Sequence, residues 1–189
     1  MKPSHRDQLL HTLAAFTCAL PQTLDAQATE AALAVVQDSL AVALGALRHP
    51  AAQAGRRYAR HAQVKQGATL WGSGECVPAE LAALVNAVPL RGYDYNDLYI
   101  GRSGGHPSDM LPGLMALAEA RGRSGSALLN ALAVGYEVAL ELFDSFDLHA
   151  MGWDYPVATG LGAVCAAARL IGLDAAQTRE ALAIMATTH

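Results

Sequence analysis

Apolar residues recur every three or four positions along most of this chain, and this spacing limits the fold more than any other feature. One such series consists of Leu33, Val36, Leu40, Leu44 and Leu47. A second consists of Leu129, Leu132, Tyr136, Leu140 and Phe143. This spacing places the apolar side chains on one face of a helix. Because no segment shows the sustained alternation of a half-buried strand, the sequence predicts an all-α fold, a helical bundle.

Capping residues and prolines indicate where the predicted helices begin. Asp25 and Ser124 each precede one of the two apolar series and are predicted N-caps. Pro78 suits the start of another helix, predicted to run to about Val88, because its missing N–H would be unpaired there anyway. The other predicted helices cover 5–20, 51–64, 112–121, 156–171 and 175–187, the last beginning with a variant of the capping box. No internal repeat or linker interrupts the series, so residues 1–189 are expected to form one domain.

Composition excludes several classes of function. The chain has 52% hydrophobic residues, which excludes intrinsic disorder. Its net charge of −4 provides no positive electrostatic field to attract nucleic acid or anionic lipid. The cysteines Cys18, Cys76 and Cys165 lack CxxC spacing, which disfavours a disulfide framework and a zinc site and fits a reducing cytoplasm. Asp7 and His11 interrupt any secretory signal. The mainly apolar stretch 33–47 contains Gln37 and Asp38, which argues against a membrane span.

Two segments, 66–78 and 94–111, fit no helix and are long for loops of a bundle. Long loops in compact domains are usually functional or disordered, and the aromatic residues and glycines here favour an ordered one. The second segment contains DYNDLYIGRSGGHPSD, with three aspartates, one histidine and three glycines. This composition predicts a functional site.

The residue types in this segment permit acid–base chemistry. Asp94 and Asp97 would lie one turn apart if this part were helical, and His106 follows a pair of glycines. A carboxylate and an imidazole can exchange protons near neutral pH. The alternative is that all three are ordinary turn residues, since aspartate and glycine dominate turns. The chain lacks GxxxxGK[ST] and HExxH, so neither a phosphate loop nor a metal site is predicted, and neither a serine nucleophile nor a cofactor is expected.

Several motifs together resemble one known family. They are, in chain order, DSLAVALGAL, ATLWG, DYND, GHPSD, PGLMALAEARGRSGSALLNALAVGYEV and GWDYPVATGLGAVCAAARLIGLDAAQTREALAIM. Their order and gaps resemble the MmgE/PrpD family, which includes 2-methylcitrate dehydratase and cis-aconitate decarboxylase. The resemblance extends from about residue 38 to residue 189.

The resemblance implies the N-terminal all-α domain of a protein that also has a smaller α+β domain and usually dimerises. It implies metal-free lyase chemistry on citrate-like polycarboxylates. Transferred to this chain, the first aspartate of the family motif is Asp94 and the histidine of its HPS motif is His106, and these are the predicted catalytic residues. The predicted substrate-binding residues are Asp97, Arg102, Ser108 and Tyr155.

Three departures from the family pattern bear on activity. Leu98 stands where the family usually has threonine, and Tyr155 stands where many members have histidine. The chain ends at His189, before the family's active-site lysines and its α+β domain. The chain alone is therefore expected to be weakly active or inactive, with its partner either a second copy or a polypeptide that supplies the missing domain. The alternative is a non-catalytic helical module for dimerisation or interaction.

Overall fold

The computed structural model describes residues 8–188. In chain order its helices are α1 (Gln8–Ala19), α2 (Ala26–Gly45), α3 (Pro50–Ala59), α4 (Ala79–Arg91), α5 (Leu111–Ala120), α6 (Gly125–Ser145), α7 (Pro156–Ile171) and α8 (Ala175–Thr188). The described residues are 66% helical with 4% strand, which confirms the all-α prediction. Residues 5–7 of the predicted first helix, including Asp7, lie outside the described residues.

The predicted caps are formed by side chains that accept hydrogen bonds from the first helical turn. Asp25 accepts from the backbone N–H three residues later at 2.7 Å, and Ser124 does the same at 3.2 Å. Asp174 and Gln177 exchange two bonds, of 2.8 and 3.0 Å, between each backbone N–H and the other side chain. These bonds satisfy N–H groups that have no partner within the helix. The predicted starts of α2, α6 and α8 are therefore confirmed.

Two helix ends differ from the prediction by three residues or more. The helix predicted over 51–64 ends at Ala59, because the backbone N–H of Val64 instead pairs with the carbonyl of Cys76 at 3.0 Å. Helix α4 continues past its predicted end at residue 88 and includes Pro89. Its last turn buries Leu90 completely, which stabilises the helix where proline removes a hydrogen bond.

Short antiparallel hairpins occupy both segments that fit no helix. Strand β1 (Ala68–Thr69) pairs with β2 (Cys76–Val77), and β3 (Tyr99–Ile100) pairs with β4 (Gly104–Gly105). A 3₁₀ turn, Pro107–Met110, then leads into α5. Residues 94–97 are not helical, and Asp94 has a left-handed backbone with φ of 53°. Asp94 and Asp97 are therefore not related by one helical turn.

The larger of the hydrophobic cores lies between α1, α5, α6, α7 and α8. Helices α6 and α7 form its largest helix–helix interface, and they approach closely because glycines face each other. A Cβ atom added to Gly162 would lie 2.5 Å from the carbonyl oxygen of Gly135. Any larger side chain at this position would force the helices apart. A smaller core packs α3, α4 and α5 around the first hairpin.

Two helices, α2 and α6, are long and apolar enough to cross a membrane by length and composition alone. Half of the apolar part of α6 is buried within the protein, whereas 17% of that of α2 is buried. A core helix passes the same test, so this is weak evidence for a span.

Candidate active site

Polar side chains converge where the end of α4, the β3–β4 hairpin and the 3₁₀ turn meet α6 and the start of α7. We refer to them as the loop cluster, which consists of Arg91, Asp94, Asn96, Asp97, His106, Ser108, Asp109, Tyr136 and Tyr155. The hairpin reverses the chain between Ile100 and Gly104, which brings the two halves of the predicted functional segment together.

The structure brings the two predicted catalytic residues together. The Nε2 atom of His106 lies 3.4 Å from Oδ1 of Asp94. The His106 side chain is 15% exposed and that of Asp94 is 70% exposed. The pair therefore has one largely enclosed and one solvent-facing member, and a ligand arriving from solvent would meet the carboxylate first.

The other ring nitrogen of His106 fixes which atom can exchange a proton. Nδ1 lies 2.6 Å from the backbone carbonyl oxygen of Asp97. A carbonyl oxygen can only accept a hydrogen bond, so Nδ1 carries a proton in this arrangement. Nε2 is then the atom that gains or loses a proton, and it is the atom that faces Asp94.

Arg91, the last residue of α4, connects three parts of the loop cluster. Its guanidinium lies 2.8 Å from Asp94 Oδ1, donates to the Asn96 side-chain oxygen at 2.6 Å and lies 3.5 Å from Asp109 Oδ1. The planar guanidinium has enough donors to hold all three groups at once. Arg91 therefore holds Asp94, one of the two predicted catalytic residues, close to the 3₁₀ turn.

Asp97 and Ser108 hold the loop rather than face solvent. The Asp97 carboxylate accepts from the Ser108 backbone N–H at 3.1 and 3.3 Å and from the Tyr136 hydroxyl at 2.7 Å. The Ser108 side chain is fully buried, and its oxygen accepts from Asn96 at 2.8 Å. Burial and the Asp97 charge raise the pKa of Tyr136, so this hydroxyl keeps its proton.

Tyr155 and Asp109 form a second hydrogen-bonded pair of ionisable side chains, beside His106. The Tyr155 hydroxyl donates to Asp109 Oδ2 at 2.8 Å, and its ring meets the His106 ring edge to face at 5.5 Å. Burial and the bond to Asp109 raise the pKa of Tyr155 to about 12. Burial also raises the pKa of Asp109, outweighing the opposing effects of Tyr155 and Arg91. The ring fits here because Gly105 has no side chain: an added Cβ would lie 2.5 Å from it.

Two further residues that the sequence analysis singled out, Arg102 and Leu98, lie at the edge of the loop cluster. Arg102 is exposed at the hairpin turn and donates to the carbonyl of Ser145 at 3.3 Å, with no bond to the loop cluster among residues 8–188. Leu98 is 61% exposed.

Four members of the loop cluster are absent from the predicted site residues. Asp109 stands within the GHPSD motif, and Arg91 and Asn96 lie in or beside DYND, so their positions offered a signal. Tyr136 was counted among the apolar residues of α6, and nothing in the sequence indicated that its hydroxyl reaches Asp97.

Within residues 8–188, no group of three or more histidine, cysteine, aspartate or glutamate side chains is arranged to hold a metal ion. The absence of a metal or other cofactor stays a prediction.

Comparison with known proteins identifies the family. The model of the MmgE/PrpD N-terminal domain matches residues 11–189. Cis-aconitate decarboxylase from Homo sapiens is 37% identical over 131 residues, which cover 64% of this chain and 27% of the relative. The Mus musculus cis-aconitate decarboxylase is 34% identical over 143 residues, 70% of this chain and 29% of the relative. The matched part of the chain thus spans less than a third of these relatives. On this evidence the chain belongs to the MmgE/PrpD family.

Proposed function

We propose that this chain is the helical part of a metal-independent lyase that acts on a citrate-like polycarboxylate, as a dehydratase or a decarboxylase. The observation that carries the proposal is the Asp94–His106 pair, with a single exchangeable ring nitrogen facing a solvent-accessible carboxylate. The relatives named cis-aconitate decarboxylase support the same class of substrate.

The geometry suits both halves of a proton transfer. In dehydration, a base takes the proton next to a carboxylate, the C–H electron pair forms the double bond, and hydroxide leaves as water after receiving a proton. In decarboxylation, the electron pair of the broken C–C bond stays on the substrate, and an acid protonates that carbon. Asp94 and Nε2 of His106 can serve as base and acid in dehydration, and either group in its protonated form can serve as the acid in decarboxylation.

The charges of the loop cluster support the proposal that this chain holds only part of the active site. Three carboxylates and one arginine leave it negative, and Arg91 is already bound to Asp94, Asn96 and Asp109. A substrate with two or three carboxylates needs further cationic donors, each contributing on the order of 1.5–3 kcal/mol. We therefore propose that the chain alone is weakly active and that a second copy or a polypeptide with the family's α+β domain completes the site, in the cytoplasm.

An experiment on the chain alone tests the catalytic proposal. The folded chain is incubated with 2-methylcitrate, citrate and cis-aconitate, while ultraviolet absorbance follows the conjugated double bond and mass spectrometry distinguishes loss of water from loss of carbon dioxide. Asp94→Asn should lower any turnover by about 100-fold or more, as expected for loss of an acid–base group. Asparagine also tolerates the left-handed backbone at this position.

The matched control is Asp38→Asn, because Asp38 is an exposed carboxylate on α2 that forms no hydrogen bond or ion pair with the loop cluster among residues 8–188. It should leave turnover unchanged. Turnover that survives Asp94→Asn would contradict the assignment of the pair.

The exposed apolar residues beside the loop cluster favour one alternative, a non-catalytic module for dimerisation or interaction. Beside the loop cluster, four large side chains are between 59% and 80% exposed: Tyr93, Tyr95, Leu98 and Ile100. Such a surface suits a protein partner. A folded chain that turns over none of the three substrates but forms dimers in light scattering would favour this function.

A further inference from the structure

A cavity of about 430 Å³ with both polar and apolar lining residues lies far from the loop cluster, between the α1–α2 connection, the start of α6 and the end of α7. Side chains that face it include Gln22, Thr23, Arg123, Ser126, Asn130 and Arg169. Among the described residues 8–188, two arginines and no aspartate or glutamate line the cavity, so this part of its wall carries a charge of +2.

Arg169 is held rigidly at the cavity wall. Its Nε donates to the Asn130 side-chain oxygen at 2.9 Å, its Nη2 to the carbonyls of Leu20 and Pro21, and its Nη1 to the carbonyl of Thr17. All four partners are neutral oxygens. The carbonyls at the end of α1 offset part of the positive charge, but no carboxylate pairs with Arg169 among residues 8–188.

Arg123 provides a second, adaptable cation. It is exposed, and its Nη2 donates to the carbonyl of Ile171 at 3.2 Å, which leaves most of its guanidinium donors available to a ligand. It too lacks a carboxylate partner in the described part of the chain. The first turn of α6 follows directly and contains no acidic residue, so the positive end of this helix adds to the same field.

We propose that this cavity binds a compact anion with two or more charges, recognised through its carboxylate or phosphate oxygens. Arg169 would supply a fixed charge, Arg123 a movable clamp, and the hydroxyl and amide groups of the wall further hydrogen bonds. The site is separate from the loop cluster: residues 155 and 169 lie at opposite ends of α7, about 21 Å apart along the helix.

Isothermal titration calorimetry tests the proposal without any need for activity. Inorganic phosphate and citrate are titrated separately into the 189-residue chain at matched ionic strength, with chloride as the reference anion. Arg123→Gln should weaken binding of the preferred anion at least about tenfold, because it removes a charge-assisted hydrogen bond. The order of affinities distinguishes a phosphate ligand from a polycarboxylate.

The matched control is Arg121→Gln, since Arg121 is an exposed arginine two residues away that does not line the cavity. It should change the affinity less than twofold. Citrate bound at the loop cluster instead would be insensitive to Arg123→Gln, so the variant also locates the site.

A nuclear magnetic resonance measurement on the unmodified chain keeps the proposal testable if the variants lose stability. In the unmodified chain, the Nε–H signal of Arg169 should shift as the anion is added and saturate at the calorimetric affinity. The proposal is overturned if neither anion binds at millimolar concentration, or if Arg121→Gln and Arg123→Gln weaken binding equally, which would indicate only a general attraction of anions to positive charge.

Discussion

Replacing Tyr136 by phenylalanine tests whether the loop cluster is fastened to α6 through one hydrogen bond. The Tyr136 hydroxyl donates to the Asp97 carboxylate at 2.7 Å, and the change removes this bond while keeping the ring. A hydrogen bond to a charged group contributes about 1.5–3 kcal/mol. Asp97 keeps its contacts with the Ser108 N–H, so we expect a loss of about 1.5–2 kcal/mol in the free energy of unfolding.

Urea denaturation followed by circular dichroism measures this loss. For a chain of this size, it corresponds to a decrease in Tm of about 3–8 °C. The backbone N–H of Ser108 should also exchange faster with solvent, because its acceptor is no longer held in place. The control is Tyr58→Phe, since Tyr58 is 74% exposed and its hydroxyl has no hydrogen bond in the described chain. Equal stability of both variants, with unchanged exchange at Ser108, would refute the reasoning.

Three further predictions follow from the packing and the shifted pKa values. Gly105→Ala should destabilise the chain because its Cβ would lie 2.5 Å from the Tyr155 ring, whereas Gly113→Ala, with nothing within 4 Å, should stabilise it by about 0.5–1 kcal/mol; chemical denaturation compares the two. A difference titration of tyrosine absorbance against Tyr155→Phe should show no ionisation of Tyr155 below about pH 11, since its pKa is raised to about 12; tyrosinate at pH 9 would contradict this. At pH 8 a thiol reagent should modify the exposed Cys18 but not Cys165, which is buried and has a pKa raised to about 11; equal rates in the native chain would be inconsistent with that burial.

The fold could be predicted largely from local signals. The apolar spacing identified α2 and α6, and the Asp25 and Ser124 caps identified where they begin, because a cap is a bond between residues three apart. The end of α3 could not be predicted in this way. It depends on the bond between Val64 and Cys76, whose partner lies in a hairpin that the sequence did not indicate.

In the candidate site, too, contacts between residues close in sequence could be predicted and contacts between distant residues could not. Asp94 and His106 could be proposed as a pair because they share a short segment and suitable chemistry. The contacts that position them come from greater sequence distances: Tyr136 reaches Asp97 from α6, and Tyr155 reaches the 3₁₀ turn from the start of α7. Such contacts depend on how the helices pack, which residue spacing alone does not specify.

The contact between Gly135 and Gly162 has a mechanical consequence. Backbone touches backbone there, and no side chain of either helix separates the two glycines, so a change of rotamer in α6 or α7 cannot absorb a small displacement of one helix against the other. We therefore expect α6 and α7 to move as one body, with bending confined to the connection between them. Because α6 carries Tyr136 and α7 begins beside Tyr155, a force applied at the far end of the pair would reach the loop cluster as a tilt of both tyrosines together.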